Sequence, residues 1–343
     1  MKIKGDFLGI LITSVVMVFL FWRSVPRSTV NSTKSVIPKA KSITVNEKQR
    51  DFLTRMRNIQ YGRKQTIKEA CRKYKNDIGD VDVFKKPPWN IAVNDEYRFI
   101  YCFTPKVAST SWKRILLVLN GFMNDTGDQP QYVVNRAGMS SFHYLDERSP
   151  KDIKYILDSY TKFMFTRNPF SRVLSAFRNK LAPDTNYSQS DVWRKKLGYY
   201  ISTLYNKNNE PVVDKDTSYD LTFKDFVRFL IDENQTNHKH WENIHWGYQY
   251  DRCRPCEIKY DIIGNFETLQ DDSKYIMKIT GTSDVTSFPS SNGSNPTNSS
   301  SKTSLQSYFS GLPLEYVRSL YERFKIDFEM FGYKRPTLNI PYK

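Results

Sequence analysis

Two short stretches carry residues suited to binding anions. The first is Pro105-Lys106-Val107-Ala108-Ser109-Thr110-Ser111, a lysine followed by three hydroxyls. The second is Arg167-Asn168-Pro169-Phe170-Ser171-Arg172-Val173-Leu174-Ser175, with arginines and spaced serines. A helix that begins within the first stretch offers unpaired N–H groups and the positive end of its dipole, and Lys106 adds a full charge. In the second, a guanidinium fork and the hydroxyls of Ser171 and Ser175, on one helix face, can hold another anion. Two such sites suit a ligand phosphorylated at two separated points. The first stretch is not the nucleotide loop GxxxxGK[ST]: no glycine occurs from Tyr97 to Asn120, and the lysine precedes the hydroxyls. Taken alone it also reads as an ordinary cap, with Thr110 or Ser111 capping and Lys106 in solvent.

The flanking patterns position these residues. Tyr97–Phe103 is apolar and β-prone, and Trp112, Ile115, Leu116 and Leu119 follow at helical spacing. The layout recurs as strand Tyr160–Thr166, a break at Arg167–Phe170 and a helix through Val173, Leu174 and Phe177. A helix from Ser149 or Pro150 to Ser159 connects the two units. The fold class is therefore α/β, with a central parallel sheet flanked by helices and ligand loops at the carboxyl ends of the strands. Further helices are expected over 47–75, 192–206, 223–232, 266–279 and 314–331, with a short strand at Tyr260–Asn265. Residues 124–150 and 284–304 read as loops, the latter mobile by its Ser, Thr, Asn, Gly and Pro content.

Residues 7–22, FLGILITSVVMVFLFW, are uncharged and apolar, and no small-residue cleavage site follows. They read as a signal-anchor helix, with 1–6 a cytoplasmic tail, 23–46 a stem and 47–343 a luminal domain. N-x-S/T acceptors at Asn31, Asn124, Asn186, Asn234, Asn292 and Asn298 fit that side of the membrane. Four cysteines (Cys71, Cys102, Cys253, Cys256) allow two disulfides in three possible pairings. Cys253-Arg254-Pro255-Cys256 has no second CxxC to complete a zinc set. The formal net charge of +16 favours an acidic partner. Anchor and sequons point away from nucleic acid and towards an acidic polysaccharide, for which Lys113, Arg114, Arg178, Lys180, Arg194, Lys195 and Lys196 are candidate groove residues.

The two anion stretches resemble, respectively, the 5′-phosphosulfate loop and the 3′-phosphate segment of the Golgi carbohydrate sulfotransferases, nearest the chondroitin and dermatan 4-O-sulfotransferases. The likeness continues through His240-Trp241, Cys253–Cys256, Tyr260–Gly264, Phe266–Leu269 and Phe324–Phe331. Where the family often has cysteine and asparagine, this chain has Ser109 and Ser111. Where it has an acidic residue, this chain has Asn168. The resemblance implies a P-loop-like sulfotransferase fold, a single-pass type II Golgi protein, a chondroitin or dermatan acceptor and 3′-phosphoadenylyl sulfate (PAPS) as donor, with no metal. Lys106 would face the leaving phosphate, with Pro105–Ser111 around it; Arg167–Ser175, above all Arg167 and Ser175, would hold the 3′-phosphate. His143 or His240 would be the general base. A nucleotide kinase and a glycan-binding protein without catalysis are the rival readings.

Overall fold

The structure, a computed structural model, describes residues 47–127, 129–183, 190–205, 221–289 and 297–335. The anchor, the stem, and the sequons at Asn31, Asn186 and Asn292 lie outside the described residues. Among the described residues no helix is long and apolar enough to cross a membrane.

The chain enters through one long helix, α1 (Glu47–Lys73). Strands β1 (Ile91–Asn94) and β2 (Phe99–Cys102) follow, then α2 (Ser109–Leu119), α3 (Gln131–Ser141) and β3 (His143–Tyr144). Next come α4 (Pro150–Ser159), β4 (Thr161–Thr166) and α5 (Pro169–Lys180). Short helices α6 (Ser190–Trp193) and α7 (Tyr199–Tyr205) flank a π-helical turn, Arg194–Gly198, which interrupts the single helix expected there. The remainder is α8 (Phe223–Ile231), α9 (Gln249–Cys253), β5 (Ile262–Asn265), α10 (Leu269–Ile279), α11 (Lys302–Ser310) and α12 (Leu314–Met330).

The sheet order is β3-β1-β2-β4-β5. It is mixed, which corrects the all-parallel expectation. β2, β4 and β5 are parallel, as two strand–loop–helix units require. β1 is antiparallel to both neighbours. The cause is the connection: only residues 95–98 join β1 to β2, too few for a crossover. That turn is held by the Asn94 side chain, which accepts from the Tyr97 amide at 2.8 Å. A second correction concerns 124–150, read as loop: residues 131–141 are α3. Pro130 starts it, and Val134 is buried against the α2 side of the core.

Alternation along the strands divides the core. Tyr101, Phe163 and Phe165 pack with Trp112 of α2 on one face. Ile100, Met164 and Ile263 meet α1 and α4 on the other. Gly264 is dictated by this packing, because a Cβ there would lie 2.3 Å from the Phe165 ring. A third cluster joins α5, α8, α11 and α12 through Phe170, Phe226, Phe309, Phe324 and Phe328. Burying each such ring contributes about 1.5–3 kcal/mol. Almost the whole surface of α5 is buried, so the second anion loop sits on a rigid element. Two disulfides form, Cys71–Cys256 and Cys102–Cys253. The second ties the end of β2 to α9.

Candidate active site

Both anion stretches leave adjacent parallel strands at their carboxyl ends. β2 runs out at Cys102 and β4 at Thr166. The two loops touch: the Arg167 guanidinium donates through Nη1 to the Lys106 carbonyl at 3.0 Å.

The first loop has an unusual backbone. Lys106 and Ala108 both have left-handed backbones, with φ of 73° and 66°. Such conformations cost energy for residues with a Cβ and turn successive N–H groups towards one concavity. Ala108 is the cap residue of α2, and no side chain caps the helix. The capping role open to Thr110 or Ser111 is therefore not taken. Thr110 instead accepts from Gln131 of α3 at 3.3 Å. Ser109 and Ser111 are half-buried in the first turn, Val107 is buried in the core, and the Pro105 carbonyl accepts from Arg172 at 3.2 Å.

Lys106 is half-buried, not free in solvent, and its ammonium donates to the neutral Asn179 at 2.9 Å. Burial, then the charges of Arg167, Lys180 and Arg172, push its pKa well below the ordinary lysine value. Lys180 is brought down to about 8 by burial. Cations brought together and desolvated in this way are stabilised by an arriving anion.

The second loop is held from three sides. Asn168 caps α5, accepting from the amides of Phe170 and Ser171 at 3.0 and 3.3 Å. Pro169 stands in the first turn, and Ser171, Val173 and Leu174 are buried. Gln249 clasps the Arg167 backbone through two bonds of 2.9 Å. The Arg167 guanidinium lies 4.1 Å from the Phe266 ring centroid and donates to the Ser300 hydroxyl at 3.2 and 2.8 Å. Ser175 shares a 2.9 Å hydrogen bond with Thr297. Arg172 gives its guanidinium to the carbonyls of Pro105, Ile244 and Gly247, so it braces the first loop against 244–247.

The histidines separate. His143 is exposed on β3, two strands from β2. His240 lies 5.7 Å from the Trp193 ring, with Nδ1 buried and unpartnered. His245 packs against the same ring at 5.5 Å, and its Nδ1 is also buried without a partner. Burial, followed by the charges of Lys180, Lys106, Arg172 and Arg252, holds His245 neutral, well below the usual imidazole range. Of the groove candidates, Arg114 is buried against the carbonyls of Gly127 and Gln129, Arg178 reaches the Thr297 carbonyl, and Lys195 and Lys196 are exposed. No cluster able to hold a metal ion occurs among the described residues.

Sequence reasoning missed Ser300, Thr297, Gln249, Phe266 and His245. Residues 297–300 belong to the stretch read as a mobile surface loop, yet they return to the site, and Ser299 is buried. Composition carries no signal for this, because serine and threonine serve loops and anion sites alike.

The model of the sulfotransferase family matches residues 89–334. Carbohydrate sulfotransferase 14 of Danio rerio is 33% identical over 290 residues, 83% of this chain and 74% of the relative. Carbohydrate sulfotransferase 10 of Xenopus laevis is 36% identical over 255 residues, covering 72% and 68%. Carbohydrate sulfotransferase 11 of Rattus norvegicus is 36% identical over 250 residues, covering 72% and 68%. No solved structure matches. With a family model that matches residues 89–334 and relatives 33–36% identical over 72–83% of this chain, the chain belongs to the sulfotransferase family and is an enzyme that transfers sulfate to carbohydrate.

Proposed function

We propose that the donor is PAPS and that the acceptor is an acidic glycosaminoglycan, N-acetylgalactosamine of chondroitin or dermatan at its 4-hydroxyl. The single observation that carries the donor reading is the contact of Arg167 with the Lys106 carbonyl. It makes two anion loops one continuous cationic wall, suited to a ligand with phosphates at both ends. In the reaction the bond from sulfur to the phosphate oxygen breaks, and a bond from sulfur to the acceptor oxygen forms. The acceptor proton passes to a base, and adenosine 3′,5′-bisphosphate leaves.

Lys106 and the first-turn amides of Ser109 and Thr110 meet the charge that grows on the leaving phosphate. Arg167 and Ser175 hold the 3′-phosphate and fix the donor's register. The base is an imidazole beside the cations. His245 fits that position better than His240 or the exposed His143, because its charge environment includes Lys106 itself. We read the first residues as a signal anchor that places this domain in the Golgi lumen.

The test uses the full-length protein in detergent with ³⁵S-labelled PAPS and ³²P-labelled ATP. We expect ³⁵S in chondroitin and no ³²P in any product. Lys106→Ala should lower kcat by about 10²–10³. Absence of ³⁵S transfer to any glycan sinks the reading, as does a Lys106→Ala enzyme of normal rate.

A further inference from the structure

Beyond the donor loops, the end of β2 carries a second pair of cations. Arg252, in α9, donates through Nε to the Phe103 carbonyl at 3.2 Å, and its guanidinium lies 4.6 Å from the Trp89 ring centroid. The Cys102–Cys253 disulfide fixes this arrangement, because it joins the last residue of β2 to the residue after Arg252. The backbone beside Trp89 is fixed by its neighbour Asn90, which donates to the Phe103 carbonyl at 2.9 Å and accepts from the Phe103 amide at 2.9 Å. Yet Trp89 itself is 58% exposed. Lys113 of α2 lies 5.3 Å from the Phe103 ring centroid and donates to Asn135 at 3.1 Å.

Neither cation has a carboxylate partner among the described residues. Asp251, next to Arg252, pairs with Arg254, and Glu242 pairs with Arg323 at 2.9 Å. Burial, then the charge of Arg252, brings Lys113 down to about 8; burial, then Arg172, brings Arg252 to about 10, with the nearby Asp251 charge offsetting only part of this. Two desolvated cations without a directly paired carboxylate are costly until an anion arrives. The donor's phosphates are matched by Lys106 and Arg167, which leaves this second pair for another acid. The exposed indole beside a guanidinium gives that acid its shape: a flat apolar face with a carboxylate at its edge.

We propose that Trp89, Arg252 and Lys113 form an acceptor subsite for a sugar acid flanking the reacting sugar. The indole takes a pyranose face, the guanidinium takes the carboxylate and the ammonium adds to the field. This rests on the sulfate-transfer reading above and names how its acceptor is chosen.

The test compares chondroitin with carboxyl-reduced chondroitin as acceptors, and measures adenosine 3′,5′-bisphosphate binding as a control for folding and for the donor site. Arg252→Ala should raise KM for chondroitin at least tenfold. The Kd for the bisphosphate should stay within twofold, and KM for the carboxyl-reduced polymer should match wild type. Trp89→Ala should raise KM for both polymers. The proposal is overturned if Arg252→Ala weakens the bisphosphate as much as the polymer, or raises both polymers' KM alike. Binding of a chondroitin hexasaccharide to the bisphosphate-loaded protein separates the two readings. Binding that falls tenfold in Arg252→Ala, in a protein that transfers no sulfate, keeps the subsite and removes the transfer reading. Normal transfer and binding in both variants does the reverse.

Discussion

Lys106 shows how a side chain can be legible in type and illegible in state. Its place before three hydroxyls at a helix start made it a candidate anion ligand, but only the fold shows its burial and Arg167, Lys180 and Arg172 repelling it. The consequence is a pH dependence. The charged lysine binds an anion, and the free site's pKa lies below the bound site's, so affinity is full below the free value and falls as pH rises through it. Lys180, at about 8 in the free protein, gives the same sign. The Kd for adenosine 3′,5′-bisphosphate should therefore rise between pH 8 and 9, and calorimetry should detect proton uptake on binding. A flat affinity across that range refutes the coupling. His245 was passed over because a histidine two residues after Asn243 has no sequence signature; only the fold places it on the Trp193 ring among cations. If it is the base, His245→Asn should lower kcat by about 10²–10⁴, while His143→Asn, on the outer strand, stays within threefold. Equal losses in the two variants would count against the assignment.

At the scale of elements, the three parallel strands and the helices after them could be read from periodicity, because each begins a strand–loop–helix unit. α4 even shows its cap: Ser149 accepts from the Asp152 amide at 3.2 Å, with Pro150 in the first turn. β1 and α3 could not be read that way. β1 has four residues, all buried, so it shows no alternation, and α3 leaves Tyr132 and Val133 exposed beside the buried Val134. Both are specified by what they pack against, and short pattern-free segments carry no such information. The segment 297–300 is the extreme case, since its order comes from hydroxyl contacts to Arg167 and Ser175. Ser300→Ala should release the Arg167 guanidinium from its orienting partner. A hydrogen bond to a charged group is worth about 1.5–3 kcal/mol, so bisphosphate affinity should fall about tenfold or more, with kcat at saturation little changed. An increase in affinity would mean that the hydroxyl competes with the phosphate instead of orienting its ligand.

For the whole molecule, the disulfides and the charge point the same way. Cys71–Cys256 anchors α1 to the segment after α9, and Cys102–Cys253 anchors α9 to the sheet, so an oxidising compartment builds the wall that carries Arg252. Losing either bond should cost about 2–5 kcal/mol and lower Tm. Among the described sequons, Asn124, Asn234 and Asn298 are all exposed, so the folded surface leaves them room for a glycan. The net charge of +16 suits the acidic glycan proposed as acceptor and needs no nucleic acid to explain it. These facts make the luminal placement testable without any activity assay. In cells expressing the full chain, peptide N-glycosidase should increase gel mobility, and protease added to intact microsomes should spare the body of the protein. Maleimide should label no cysteine before reduction. A protein with labelled thiols, no glycan and full protease sensitivity would place the domain in the cytosol, where neither the disulfide-fixed Arg252 nor a luminal acceptor could serve the reaction proposed for it.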